Sequence, residues 1–280
     1  MTYICTSNQA ADLAQSIQLN AVDYQESDLF NCRPSELRAL AGKILGLQSI
    51  KWHYLFTEKQ QKLEKSNKLG KELNIGMHLA PSNLSGKNTC PMASKGCRAA
   101  CLNTSGKGRL SVTQIGRIKK TKLYFEHPFL FRALMINEIR AWQDKAEKQG
   151  LRLAVRLNTT SDIVWENKFP LLFEIFKNVQ FYDYTKIAKR FEHPLPSNYH
   201  LTFSRSEENQ NLVDRVISRK GNVAVVFQNI QNAMQTGYQG LRVINGVESD
   251  RRYADPAGVI VGLQALGNAK ADRSGFVVPN

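Results

Sequence analysis

No acidic residue occurs between Glu72 and Glu126. The same stretch carries Lys87, Lys95, Arg98, Lys107, Arg109, Arg117, Lys119, Lys120 and Lys122. A surface that uses charge only for solubility mixes its signs, so this stretch argues against that role and for a polyanionic partner, nucleic acid first. Long apolar runs are missing as well. Residues 223–227 and 259–263 are among the longest, far below the roughly 20 residues that span a bilayer, so no membrane partner is expected. The opening MTYICTSNQAADLAQ has no basic stretch leading into an apolar one, and a cytoplasmic location is expected. Cysteine is scarce and odd in number, five residues, whereas a secreted disulfide scaffold uses an even set. There is also no P-loop, no dinucleotide fingerprint and no H-E-x-x-H.

What is present is basic and foldable. The net charge is +14 and the pI about 9.6 over 280 residues. Hydrophobic residues make up 42%, enough for a real core. Residues 1–73 read as a polar, helical extension. In RPSELRALAGKILGLQ, Ser35 is a candidate N-cap, and Leu37, Leu40, Ile44 and Leu47 fall on one face. TEKQQKLEKSNKLGKEL reads as a solvated, lysine-rich helix or connection. From residue 74 the texture changes to strand–helix alternation. IGMHLA, LRLAVRLN, VQFYDY, YHLTFS, VAVVFQ, LRVING and GVIVGL read as strands. HPFLFRALMINEIRAWQDKAEKQG, with Pro128 near its first turn and Gly150 as its stop, reads as the longest helix between them. Such alternation predicts parallel strands with right-handed crossovers. The expected fold is α/β, an incomplete or open (β/α) TIM-type barrel over residues 74–280, with a doubly wound sheet as the alternative. In such barrels the chemistry gathers at the C-terminal strand ends. Here those ends carry NTTSD, DYTK, TFSRSEEN, Gln228 and NGVESDRR.

Cys90, Cys97 and Cys101 lie in NTCPMASKGCRAACLNTSGKGR, among small residues and cations. If KGCRAAC forms a helical turn, Cys97 and Cys101 share a face and Cys90 reaches them from the preceding loop. Cationic neighbours favour thiolates. A 4Fe–4S cluster held by three cysteines leaves one iron open for chemistry. Zinc would need a fourth ligand, with His78, Cys5 and Cys32 as candidates. A metal-free site is the third option.

A three-cysteine cluster near the first strand of an incomplete α/β barrel resembles the radical SAM enzymes. Their usual spacing is C-x3-C-x2-C. Here it is C-x6-C-x3-C, and no glycine-rich SAM-binding motif follows LRLAVRLN. A closer resemblance is to the phage- and plasmid-borne gene product 88 family. It rests on CPMASKGCRAACLNTSGKG, RLNTTSDIVWE, FYDYTK, YHLTFSRSEEN and DPAGVIVGLQALGNAKADRSGFV, together spanning about residue 75 onward. The resemblance implies an iron–sulfur, radical-SAM-like barrel.

Three functions compete. The first is an iron–sulfur-dependent nuclease acting on RNA. Lys107, Arg109, Lys186 and Arg205 would clamp phosphate, and Arg117, Lys119, Lys120 and Lys122 would extend the basic surface. Asp162, Asp183, His78 and Lys186 are its catalytic candidates, the first three as proton carriers. Tyr184, Tyr182 or Trp165 would stack on an unpaired base. The plainer readings are helix capping for Asp162, a hydrogen-bonded core imidazole for His78 and wall packing for the aromatics. The second function is a radical SAM enzyme modifying a nucleic-acid base. The third is a binding module with zinc or a cluster as a structural clip. Asp250, Arg251 and Arg252, and Lys270, Asp272, Arg273 and Ser274, are secondary candidates.

Overall fold

The computed structural model describes residues 7–279 and assembles nine strands into one sheet. Three helices lead the chain: α1 (Ser7–Ser16), α2 (Glu26–Asn31) and α3 (Pro34–Ile44). The cap of α3 is Arg33 rather than Ser35. Glu36 turns back to accept the Arg33 N–H at 2.7 Å, and Pro34 opens the helix where an N–H has no partner to lose. These helices share cores with the rest of the molecule. Leu29, Leu37, Ala41 and Ile44 join the same apolar cluster as Phe131, Leu134 and Ile139.

Next come β1 (Phe56–Thr57), α4 (Gln61–Asn67) and β2 (Glu72–Met77). A boundary drawn at residue 73 therefore falls inside β2. Beyond the cysteine loop, which holds α5 (Lys95–Ala99), lie α6 (Ser111–Glu126) and α7 (Pro128–Glu147). The chain then runs through β3 (Arg152–Arg156), α8 (Trp165–Lys168), α9 (Leu171–Ile175), β4 (Gln180–Thr185), β5 (Tyr199–Ser204), α10 (Gln210–Ile217) and β6 (Asn222–Phe227). It ends with α11 (Ile230–Thr236), β7 (Val243–Asn245), β8 (Ile260–Gln264) and β9 (Val277–Val278). All seven expected strands are present; β1 and β9, two residues each, are additions. No helix among the described residues is long and apolar enough to cross a membrane.

The sheet order is β1-β2-β3-β4-β5-β6-β8-β7, with β9 also on β6. Only β1 runs antiparallel. From β2 to β6 the order follows the sequence, and it reverses only beyond β6, where β8 lies between β6 and β7. Right-handed crossovers along such an order keep the helices on one face. Side-chain parity agrees. Leu73, Ile75, Leu153, Val155, Phe181 and Leu201 sit in the apolar cluster shared with α7, and Phe203, Val223 and Val225 in a second one.

The opposite face is polar. Successive strands present Asn74, Arg156, Tyr182, Tyr184, His200, Thr202 and Ser204 on it. Helix α4 and the segment between β7 and β8 fold over this face and tie the two ends of the sheet together. Asp250 donates its N–H to Ser66 Oγ at 2.8 Å and pairs with Lys62 at 3.3 Å and Arg156 at 2.8 Å. Glu72 of β2 pairs with Arg251 at 2.6 Å. NGVESDRR thus leaves the strand-end rim and lines the interior, and the lysine-rich α4 is a structural bridge on one of its faces.

Candidate functional site at the cysteine loop

The cysteine loop leaves the C-terminal end of β2 and is pinned from three directions. Ser94 caps α5 through the Cys97 N–H at 3.1 Å. Glu207, in the loop after β5, accepts from Ser94 Oγ at 2.8 Å and from the Gly96 N–H at 2.7 Å. A carboxylate at a helix start satisfies otherwise unpaired donors. Gly96 is required here, because a Cβ would lie 2.2 Å from Ser274 Oγ and 2.7 Å from Phe276 Cβ. On the other side, Asp162 donates its N–H to Thr89 O at 2.8 Å, and Thr160 Oγ1 donates to Leu79 O at 2.6 Å.

The expected helical turn is shorter than KGCRAAC. It ends at Ala99, and Cys101 instead caps a 3-10 turn over Leu102–Thr104. Burial raises the pKa of Cys90, with Cys97 adding to the shift, and lifts Cys101 to about 11, with Cys97 and Cys90 adding to it. Cys90 Sγ accepts the Ser82 N–H at 3.3 Å, and Cys101 Sγ the Asn103 N–H at 3.5 Å. Cys97 packs against Ala100, Ala265, Ala269 and Phe276. Among the described residues, no three His, Cys, Asp or Glu side chains are grouped around a single metal ion. Zinc with bonds near 2.3 Å would draw thiolates to about 3.8 Å from one another, whereas a four-iron cluster spreads them over different irons. Three cysteine sulfurs are a donor set that either group could use. Cys32 packs against the main core as a plain thiol, and Cys5 lies outside the described residues.

Behind the thiols is an unusual concentration of buried positive charge. Arg117 of α6 is 8% exposed. It donates from Nη1 to the neutral Asn103 Oδ1, and its Nε has no partner. No carboxylate pairs with it among the described residues. Burial lowers its pKa to about 10, and Cys101 opposes the shift. His78, just past β2, is held well below 6.5 by burial, then by Arg117, Lys120 and Arg156. It is a neutral imidazole at neutral pH, within the electrostatic reach of Arg117.

Lys186 enters the mouth from the end of β4. Its Nζ donates to Ser204 Oγ at 2.9 Å and lies 5.6 Å from the Phe276 ring centroid, the ring that packs on Cys97. Asp162 is placed to position this lysine. Its Oδ2 accepts the Lys186 N–H at 2.8 Å, and Oδ1 faces Arg190 at 3.5 Å. Burial raises the Asp162 pKa against those donors. Asp183 is elsewhere. It sits on the helix-facing side of β4, fully buried, and accepts from the Asn158 N–H at 2.6 Å and Tyr199 OH at 2.6 Å. Trp165 is likewise core, packed on Tyr124 and Phe131. Tyr184 faces the interior, where its hydroxyl lies 3.4 Å from Lys62 Nζ, and Arg156 stacks 4.6 Å from its ring.

The basic residues divide into two sets. Lys87, Lys95, Arg98, Lys107 and Arg109 are exposed around the cysteine loop. The lysines of α6 are not a free basic stripe. Lys119 donates to Leu45 O at 3.1 Å, Lys120 to Leu55 O at 3.4 Å and Lys122 to Ile17 O. They satisfy main-chain carbonyls of the N-terminal segments, because α6 packs beneath those segments. Arg205 is also engaged, donating to Gln210 Oε1 at 2.9 Å and to the carbonyls of Gly275 and Phe276. Asp272 holds the same segment through the Val277 N–H at 3.0 Å and Ser274 Oγ at 2.7 Å. Glu207, Ser204, Arg156 and Phe276 were not singled out from sequence. Only Glu207 left a signal there, as one of two adjacent acids in the strand-end loop after β5.

Comparison with known proteins adds one match. The sequence pattern of the gene product 88 family covers residues 54–280, and the chain belongs to that family. No curated protein and no solved structure matches it.

Proposed function

We propose that this member of the gene product 88 family is an iron–sulfur enzyme acting on nucleic acid, with RNA phosphodiester cleavage as its reaction. The site is the mouth of an incomplete (β/α) barrel. The observation that carries the reading is Arg117, a buried cation with no carboxylate among the described residues, acting on Cys101, whose thiol burial lifts to about 11. An uncompensated buried charge is costly. A cluster held by Cys90, Cys97 and Cys101 would displace their protons and would supply the counter-charge Arg117 lacks.

Cys90, Cys97 and Cys101 would hold a 4Fe–4S cluster, which would supply Lewis acidity toward a phosphate oxygen. The chain would do the rest. Lys87, Lys95, Arg98, Lys107 and Arg109 would hold the backbone at the rim. Lys186, held by Asp162 and Ser204, would place its side-chain amine at the scissile phosphate. His78, kept neutral, would take the proton of the attacking hydroxyl at its ring nitrogen as the phosphorus–oxygen bond to the leaving group breaks, and water would protonate the leaving oxygen. A strand order that follows the sequence from β2 to β6, and a cysteine loop leaving the first parallel strand, favour a second reading: SAM-dependent radical modification of a base.

The test is anaerobic purification, an absorbance spectrum and iron and sulfide counts, followed by incubation with labelled RNA with and without SAM and a reductant. Brown protein that cuts RNA without SAM supports cleavage. Brown protein that only consumes SAM selects the second reading. A colourless zinc protein rejects both and leaves a binding module. Cys97→Ala should abolish colour and activity together; a colourless, fully active variant overturns the cluster's role.

A further inference from the structure

A second cluster of aromatic and cationic groups lies far from the cysteines in the topology. Helix α7 ends where β3 begins, so its last turns stand at the N-terminal ends of the parallel strands. The cysteine loop leaves the opposite ends. Beside those last turns, Trp52 is 37% exposed and packs 5.0 Å from the His53 ring and 5.0 Å from Trp142. A cleft of about 450 Å³ runs between Trp52 and Ala141, Asp144 and Lys145 of α7, with Lys148 and Gln149 just past the helix end. Trp142 forms the inner layer. It is 3% exposed, and its indole N–H has no partner among the described residues.

Charge at this cleft is predominantly positive. Lys145 lies 4.5 Å over the Trp142 ring and 2.9 Å from Glu58. Lys51, Lys59 and Lys145 all act on His53, opposed by Glu58 alone. Lys148 is exposed on the cleft wall, and Asp144 is the acid of the lining.

We propose that this cleft binds an unpaired base of single-stranded nucleic acid, stacked on Trp52, with its phosphate met by Lys145 and Lys148. An aromatic face within a cationic rim is the composition that takes bases of any sequence. A duplex offers no free base face to Trp52, and an acidic peptide would use the lysines but not the indole. The site is independent of the cysteine reading, because none of its residues belongs to the mouth. It gives the chain a second contact with a strand, at the other end of the sheet.

The experiment is tryptophan fluorescence of the full chain titrated with a short single-stranded oligoadenylate, its duplex, inorganic polyphosphate and polyglutamate. The single strand should quench, and the other three should not. Trp52→Ala should weaken binding roughly tenfold, and Trp52→Phe should recover part of it. Lys148→Gln, an exposed change that leaves the fold alone, should reduce the salt slope by about one. Equal quenching by polyphosphate or polyglutamate, or unchanged affinity in Trp52→Ala and Lys148→Gln, overturns the proposal.

Discussion

Arg117 and Asp183 carry opposite lessons about single residues. From sequence, Arg117 is one cation in a basic run, and nothing distinguishes it from Lys119 two positions later. Periodicity along α6 decides the difference, and that helix is not evident from its apolar pattern. Because Arg117 is buried without a carboxylate, Arg117→Met should leave the metal-free protein as stable as the parent or about 1 kcal/mol more stable, while lowering iron and sulfide content. Thermal melts of the metal-free proteins beside metal analysis decide this; a variant that loses stability but keeps its iron contradicts the assignment. Asp183, picked out as a polar strand-end acid, is a core carboxyl whose parity turns it to the helices. Burial lifts its pKa to about 7 against the hydrogen bonds from Tyr199 and Asn158. The folded state thus holds a proton that the unfolded chain releases near pH 4. Asp183 stabilises the fold most at low pH, and that contribution is lost as pH rises from about 4 to about 7. Asp183→Asn should flatten this part of the stability–pH curve measured by denaturant unfolding. Parallel curves for the two proteins would refute the assigned protonation.

At the scale of elements, most strands and α7 were legible because period-two apolar runs and a Pro-to-Gly frame are local signals. The clamp on α5 was not. Glu207 reaches Ser94 and Gly96 from 113 and 111 residues away, and no local pattern encodes that pairing. Glu207→Ala should leave the global melting temperature within a few degrees but release the cysteine turn. The readout is faster hydrogen exchange at Gly96 and Cys97; unchanged protection there rejects the clamp. The α6 lysines give a contrasting case. Lys119→Gln and Lys122→Gln should loosen the N-terminal segments by about 1 kcal/mol each and leave nucleic-acid affinity unaltered. Neutralising Lys95, Arg98, Lys107 and Arg109 should weaken binding and flatten its salt dependence, by roughly one unit of slope for each phosphate left without its cation. Filter binding across a salt series separates the two sets.

For the whole molecule, strand–helix alternation in the sequence was enough to indicate parallel strands joined by crossovers. It did not indicate what happens at the sheet's open side. There the union depends on Asp250, which burial alone would push up but which Arg156, Lys62 and Arg252 hold below the usual carboxylate range. Asp250→Ala strands Arg156 and Lys62 and should cost about 3–5 kcal/mol, seen as a lower denaturation midpoint. A midpoint shift below about 1 kcal/mol would mean that the sheet ends are held by other interactions. These ties also set a schedule for synthesis. Lys62 and Asp250 are 188 residues apart, and Ser94 and Glu207 are 113 apart. At about 5–20 residues per second, a nascent chain carries its cysteine loop for roughly ten seconds before the residue that clamps it is made. The thiols are therefore exposed to solvent and oxidant before their pocket exists.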